Sequence, residues 1–461
     1  MIRKEVPYVD PFTLYRGLQR TFGVSFLLES APGDNRFVES SIVGFEPERI
    51  ITVRDGLVSI DGDELAAPPM QVIRSLLEEH AVRSGGLSTG GLRYNGGLVG
   101  YIGWDFLGWY EDLPSHGPAP LGMPQLQLGL YLDGIVIDHR QGSAMYFSHG
   151  EDRSDCLSLA EEHHELLEFR GEVEEQDWDE QGYRDAVGKV QRAICAGEAF
   201  QVVLARQLRG SYRGDPLDFY GRLRALNPSP YMYFLDFGPY KVAGSSPETL
   251  VSVQGTTVRS HPIAGTVPLG ASAAETQRLA AQLRSDPKEL AEHAMLVDLA
   301  RNDLGKVCRF GSVQVTEDKV IERFSHVQHL VSVVEGELAM GKDALDALEA
   351  TFPAGTLSGA PKLRAVELLH GLEPWGRGGY GGVVGYLALN GNLDTAIAIR
   401  TGFFDGLRFQ LAAGAGITAG SVPANEWQET THKLAALEGL LGGSPQDGAY
   451  RERLMDRRQA Y

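Results

Sequence analysis

Two pairs of carboxylates define the chemistry open to this chain. Glu289 and Glu292 stand three residues apart in Asp286-Pro-Lys-Glu-Leu-Ala-Glu-His-Ala-Met-Leu-Val-Asp-Leu-Ala-Arg-Asn-Asp303, and Glu426 and Glu429 repeat the spacing in Pro423-Ala-Asn-Glu-Trp-Gln-Glu-Thr-Thr-His-Lys-Leu434. Both stretches read as helix starts: in the first, Asp286 suits the N-cap and Pro287 the first helical position. Three-residue spacing puts each pair on one helix face. Alone, Glu289 could complete a capping box and Glu292 could be ordinary surface charge. Two such pairs are what an oxygen-preferring divalent cation needs, above all magnesium, which takes few carboxylates and leaves positions for water or an anionic substrate. The expectation is a fold that brings both pairs to one cleft.

Four further stretches carry polar groups on loops or strands. Gly244-Ser-Ser-Pro-Glu-Thr-Leu250 presents Glu248 at a turn. Phe324-Ser-His-Val-Gln-His-Leu-Val-Ser332 alternates, placing His326 and Gln328 on one face of a strand and Val327 and His329 on the other. Ala354-Gly-Thr-Leu-Ser-Gly-Ala-Pro-Lys362 is a glycine-rich loop before a helix, suited to holding an anion on backbone N–H groups, and Gly414-Ala-Gly416 could do the same.

The elements that must position these groups form an α+β pattern. Helical periodicity covers 181–196, 215–226, 273–284, 286–301, 344–351, 362–370 and 424–441, and β-branched runs at 200–206, 395–400 and 409–413 alternate with it. Strand segments outnumber βαβ crossovers, which predicts large antiparallel sheets flanked by helices. Residues 1–148 read as strand-rich, 149–181 as an acidic surface connection with a helical centre over Cys156–Phe169, 182–442 as the catalytic region and 443–461 as a polar tail. Tyr94-Asn-Gly-Gly-Leu-Val-Gly-Tyr101 echoes Gly379-Tyr-Gly-Gly-Val-Val-Gly-Tyr386, as two strands packed closely through glycine would.

Composition narrows the partners. The 461 residues suggest about three domains by length alone. A formal charge of -19 argues against nucleic acid and would repel a small anion, so an acidic substrate needs a bound cation and local Arg or Lys. No apolar run is long enough for a membrane span, and the N-terminus lacks a signal-peptide core, which makes the cytoplasm the expected compartment. Cys156, Cys195 and Cys308 are too few and scattered for a disulfide framework or zinc site.

The order and wording of eight stretches are specific: Ser246-Pro-Glu248, Pro262-Ile-Ala-Gly-Thr266, Lys288-Glu-Leu-Ala-Glu-His293, Leu299-Ala-Arg-Asn-Asp-Leu-Gly305, Ser325-His-Val-Gln-His-Leu330, Gly355-Thr-Leu-Ser-Gly-Ala-Pro-Lys362, Gly391-Asn-Leu-Asp-Thr-Ala-Ile-Ala-Ile-Arg400 and Glu426-Trp-Gln-Glu-Thr430. The series resembles the chorismate-utilising enzymes, and within them the anthranilate synthase component I branch. The resemblance implies that Glu289, Glu292, Glu426 and Glu429 hold Mg2+ on the ring carboxylate of chorismate. It implies that Tyr380, Arg400 and the backbone of Gly414, Ala415 and Gly416 grip the enolpyruvyl carboxylate, with Thr356 and Lys433 beside the substrate. Glu248 matches the family's general acid for the departing C4 hydroxyl, and His329 the histidine assigned to pyruvate elimination.

Two positions separate the branches. Gln201 stands where water-adding relatives carry a lysine base, and Ala264 where aminodeoxychorismate synthases often carry a lysine nucleophile, so both point to ammonia as nucleophile. His261, Val267 and Leu269 depart from the usual basic surroundings of that loop. No cysteine sits in a glycine-framed nucleophile elbow, which predicts a separate glutamine amidotransferase subunit as the ammonia source. Leu27-Leu-Glu-Ser30 and Asn227-Pro-Ser-Pro-Tyr-Met-Tyr233 resemble the family's tryptophan-inhibition site, which implies that Glu29, Ser30, Pro230, Tyr231 and Met232 bind tryptophan. The alternatives are an aminodeoxychorismate synthase component I and a catalytically silent tryptophan-binding protein.

Overall fold

The computed structural model describes residues 1–30, 40–83, 93–114, 116–119, 121–161, 165–323 and 327–442. Phe324, Ser325, His326 and the tail 443–461 lie outside the described residues. The architecture is α+β, with two 12-stranded sheets whose ladders are antiparallel throughout the described residues. The first sheet runs Ile2–Val6, Ser143–Ser148, Asp133–Asp138, Ser40–Phe45, Val24–Glu29, Tyr231–Phe237, Tyr240–Ser246, Thr401–Asp405, Arg408–Ile417, Gln201–Arg213 and Arg170–Gln176, with Gly359–Ala360 as a twelfth strand on Gln201–Arg213. The second runs Ile263–Pro268, Val327–Glu337, Thr257–Ser260, Thr249–Gln254, Leu393–Ile397, Val383–Ala388, Gly97–Ile102, Leu126–Tyr131, Arg49–Arg54, Leu57–Ile60 and Asp63–Leu65, with Gln314–Arg323 as a twelfth strand on Val327–Glu337.

Strand alternation builds two cores. In Val24–Glu29, Phe26 joins the inner core, which also takes Leu98, Leu128 and Val384 of the second sheet, whereas Leu27 faces outward. That outer face of the first sheet is covered by helices Pro11–Thr21 and Pro216–Leu226, through Leu14, Leu18, Leu217 and Leu223. Both helices start as their sequences dictate: an aspartate (Asp10 or Asp215) caps the first turn and a proline follows.

The N-terminal 148 residues are not a layer of their own. The stretch is strand-rich, as expected, but its strands enter both sheets, and its described residues also form helices Pro11–Thr21 and Pro69–Arg83. Residues 149–181 also differ from the expectation. Where a helix was expected over Cys156–Phe169 a 3-10 turn spans Ser154–Glu161, Phe169 is buried, and Arg170–Gln176, expected as surface connection, pairs as an edge strand with Gln201–Arg213. The glycine echo is structural: Gly97–Ile102 and Val383–Ala388 are adjacent strands with Gly100 opposite Gly385, and a Cβ on either would lie about 2 Å from a backbone oxygen of the next strand. Among the described residues no helix is long and apolar enough to cross a membrane.

Candidate active site

Glu248 and Arg400 sit where the chain crosses between the sheets. Glu248 links Tyr240–Ser246 of the first sheet to Thr249–Gln254 of the second, and Arg400 links Leu393–Ile397 of the second to Thr401–Asp405 of the first. The crossovers are tied side by side, since the Ile397 N–H donates to Glu248 O at 3.0 Å and the Ser245 N–H to Arg400 O at 3.2 Å. Arg400 takes a φ of 51°, a left-handed conformation that non-glycine residues seldom adopt and that the two flanking strands impose. Its guanidinium reaches the Asn227 side-chain oxygen at 3.4 Å.

Glu248 has the properties of an acid. Burial pushes its carboxyl up to about 7, against the Thr356 hydroxyl, which donates to Oε1 at 2.9 Å, and the nearby charges of Arg400 and Lys433, which favour the carboxylate. A space of about 50 Å³ beside it is lined by Glu248, Thr356, His261 and Asp303. His329, on the Val327–Glu337 strand, is buried, and its Nδ1 lies 3.0 Å from Gly265 O and 3.0 Å from the Thr266 hydroxyl. A carbonyl can only accept, so Nδ1 carries the proton and Nε2 the lone pair. Burial drives its pKa down to about 4, assisted by Arg400 and resisted by Gly265 O, which keeps the ring neutral near pH 7.

The two carboxylate pairs face each other. Asp286 caps the Pro287–Gly305 helix through Lys288 N (2.9 Å) and Glu289 N (3.3 Å), which frees the Glu289 carboxylate for the cleft. The Glu289 pKa is raised by burial, then by Glu292 of its own helix and by Glu429 of the opposite one. Glu426 is likewise raised by burial and by Glu429, with Ser421, Lys288 and Lys433 relieving it. Among the described residues no three acidic, His or Cys groups are already gathered as a ligand set. The pairs are instead close enough to repel, and a divalent cation between them would relieve that repulsion. The donor set is all oxygen, as magnesium requires.

The remaining positions close the ring. Gln201 Nε2 lies 3.5 Å from Glu292 Oε1, and a Cβ on Gly416 would fall 2.4 Å from that same nitrogen. A Cβ on Gly414 would stand 3.1 Å from the Tyr380 hydroxyl, so glycine keeps this backbone open to the site. Among the described residues, beyond Leu411 the Arg408–Ile417 strand is paired only with Gln201–Arg213, so Gly414, Ala415 and Gly416 have a strand on one edge. Lys433 joins Glu429 (2.7 Å) to Gly414 O (2.8 Å). Ala264 is buried opposite Leu330 and offers no nucleophile.

Glu29, Ser30, Pro230, Tyr231 and Met232 line a second cavity of about 250 Å³ between the sheets. Glu29 is already engaged there, accepting from Arg224 Nη2 at 2.6 Å and from the Tyr220 hydroxyl at 2.9 Å.

Several contributors were assigned no role from the sequence, although some lie inside the motifs. Thr266 orients His329, Asn227 meets Arg400, and Lys288 and Ser421 moderate the carboxylates. Arg206 stacks 3.4 Å over the Trp427 ring and donates to the Thr430 and Thr431 hydroxyls, docking the helix that carries Glu426 and Glu429. An arginine five residues after Gln201 and a tryptophan next to Glu426 were the available clue.

The chorismate binding enzyme model matches residues 25–439. Anthranilate synthase component 1 of Methanothermobacter thermautotrophicus is 42% identical over 446 residues, covering 95% of this chain and 93% of that protein. Anthranilate synthase component 1 of Pseudomonas putida is 41% identical, covering 90% and 89%. The crystal structure of anthranilate synthase component I from Streptococcus pneumoniae superposes with a TM-score of 0.76 at 34% identity, over 89% of this chain and 94% of that one. The menaquinone-specific isochorismate synthase of Escherichia coli shares the fold, with a TM-score of 0.72 at 22% identity over 96% and 94%. The chain belongs to the chorismate-binding enzyme family and stands among its anthranilate synthase component 1 members.

Proposed function

We propose that this chain converts chorismate and ammonia to anthranilate and pyruvate, as the synthase component of a two-component enzyme whose separate glutaminase supplies the ammonia. The observation that carries the reading is Glu248: a carboxyl held protonated to about pH 7, bonded to Thr356 and placed beside Arg400.

Each residue has a defined task. Arg400, the Tyr380 hydroxyl and the backbone of Gly414–Gly416 receive the enolpyruvyl carboxylate; guanidinium is the right partner for a planar anion. Glu289, Glu292, Glu426 and Glu429 would hold Mg2+, which when bound neutralises the ring carboxylate. As ammonia adds at C2, Glu248 gives its proton to the C4 hydroxyl, which leaves as water, and the new C2 ammonium releases a proton to solvent. Gln201 has no titratable group and cannot activate water as a competing nucleophile. The neutral Nε2 of His329 then takes the C2 proton as the C3–O bond breaks, the ring becomes aromatic, and the departing enolpyruvate takes up a proton to become pyruvate.

Tryptophan in the cavity bounded by Glu29, Ser30, Pro230, Tyr231 and Met232 would act as feedback inhibitor. That cavity lies just below the size range usual for ligand pockets, about 300–1,000 Å³, which suits a single small metabolite.

The deciding experiment incubates the chain with chorismate and ammonium, with and without magnesium, and identifies products by fluorescence and chromatography. Anthranilate and pyruvate, formed only with magnesium, are expected. A 4-amino product would place the chain among aminodeoxychorismate synthases, and no turnover would favour a silent tryptophan-binding protein. Glutamine should replace ammonium only when the partner subunit is added.

A further inference from the structure

Behind the site lies a charged pair that none of the assignments above uses. Arg377 and Glu373 are both buried, with no side-chain exposure. The guanidinium donates to Glu373 twice, from Nε at 2.8 Å and from Nη2 at 2.6 Å. Its remaining contacts are to backbone: Nη1 donates to Leu357 O at 2.6 Å and Nη2 to Val203 O at 2.7 Å. Glu373 Oε1 in turn accepts from the Ala205 N–H at 2.9 Å. The Trp104 ring packs 4.1 Å from the guanidinium and the Tyr380 ring 5.8 Å. Burial opposes ionisation of Glu373, yet Arg377 first, and then His116, whose Nε2 lies 3.4 Å from Oε2, hold its pKa down at about 2, so the carboxylate is ionised at working pH.

Stability alone is a weak reason for such a pair, because a well-packed apolar replacement is often as stable or more so. What distinguishes it is the identity of the three segments it joins. Leu357 follows Thr356, which holds Glu248. Val203 and Ala205 lie on the Gln201 strand, opposite Gly416 and Gly414. Arg377 O accepts from the Tyr380 N–H at 3.1 Å and from Gln410 Nε2 at 3.0 Å, which fixes the turn carrying Tyr380.

We propose that Arg377, set by Glu373, is a positioning residue for the reaction: one guanidinium fixes the Thr356 loop, the Gln201 strand and the Tyr380 turn in mutual register. It touches no reacting atom. The fork geometry matters, since a lysine ammonium cannot meet two carboxylate oxygens and two carbonyls in one plane. The inference rests on the anthranilate-forming reading above.

The test uses full-length Arg377→Lys and the double variant Glu373→Met with Arg377→Met, alongside the unaltered chain as control. Melting temperature, magnesium dependence, KM, kcat and the pH profile of kcat/KM are measured with chorismate and ammonium. Positioning predicts folded variants that keep their magnesium dependence, lose at least about tenfold in kcat/KM and show a displaced basic limb, because Glu248 no longer meets Thr356 at its set distance. A folded double variant with unchanged kcat, KM and pH limb would overturn the proposal. So would failure of both variants to fold, which would make the pair purely structural. If the unaltered chain makes no anthranilate, it is the underlying reading that fails.

Discussion

The Thr356 hydroxyl lies 2.9 Å from Glu248 Oε1, and it opposes the burial that raises the Glu248 pKa. A hydroxyl donating to a carboxylate stabilises the ionised form, so removing it drives the pKa further up. Thr356→Val should therefore move the basic limb of kcat/KM to higher pH while lowering kcat less than about tenfold. A limb that moves down, or does not move, contradicts this role.

The pH window of activity follows from two groups. Glu248 must carry a proton, so activity falls as pH rises through about 7; His329 must be neutral, so it falls as pH drops toward 4. Glu248→Gln should cost roughly 10²–10⁴ in kcat, the usual worth of a positioned general acid, and abolish the basic limb. His329→Asn should leave chorismate consumption measurable while the aminated, still non-aromatic intermediate accumulates, detectable by chromatography. Rapid anthranilate formation by the histidine variant would remove His329 from the elimination.

Metal dependence should itself depend on pH. Glu289 and Glu426 have raised pKa values, and a protonated carboxyl cannot ligate. Half-saturating magnesium should rise as pH falls through the range in which these carboxyls take up protons, and Glu289→Gln should raise it by at least about tenfold at a fixed pH. Titrating activity with magnesium at two pH values checks both. Equal requirements at both, with an unaffected variant, would detach these carboxylates from the metal.

The helices were legible in the sequence because their signals are local. Asp215-Pro216 and Asp286-Pro287 announce starts that the side chains then cap, and 344–351 and 362–370 coincide with the observed spans. The opposed carboxylate pairs were legible because i, i+3 spacing has one geometric meaning. The Arg170–Gln176 edge strand and the interleaving of residues 1–148 were not, since a strand's partner is chosen by distant chain: Val24–Glu29 lies between Ser40–Phe45 and Tyr231–Phe237. Nor was the Glu373–Arg377 pair, whose i, i+4 spacing reads as an ordinary surface ion pair until burial is known.

Tryptophan inhibition can be tested through one hydroxyl. The segment that lines the larger cavity is continuous with the catalytic crossovers: Tyr231 OH donates to Asp394 at 2.9 Å and accepts from Thr249 at 2.9 Å, the residue after Glu248. At its other end Asn227 meets Arg400 by its side chain and accepts from the Ser245 hydroxyl by its carbonyl. A ligand that displaced this segment would move Glu248 and Arg400 together, a coupling carried by packed backbone and hydrogen bonds. Tyr231→Phe keeps the ring that walls the cavity and removes only the bridge. Calorimetry should show tryptophan binding changed little, while the inhibition of initial rate by saturating tryptophan weakens severalfold, because coupling and affinity are separate quantities. Full inhibition in Tyr231→Phe would mean that the signal, if tryptophan gives one, reaches the site by another route.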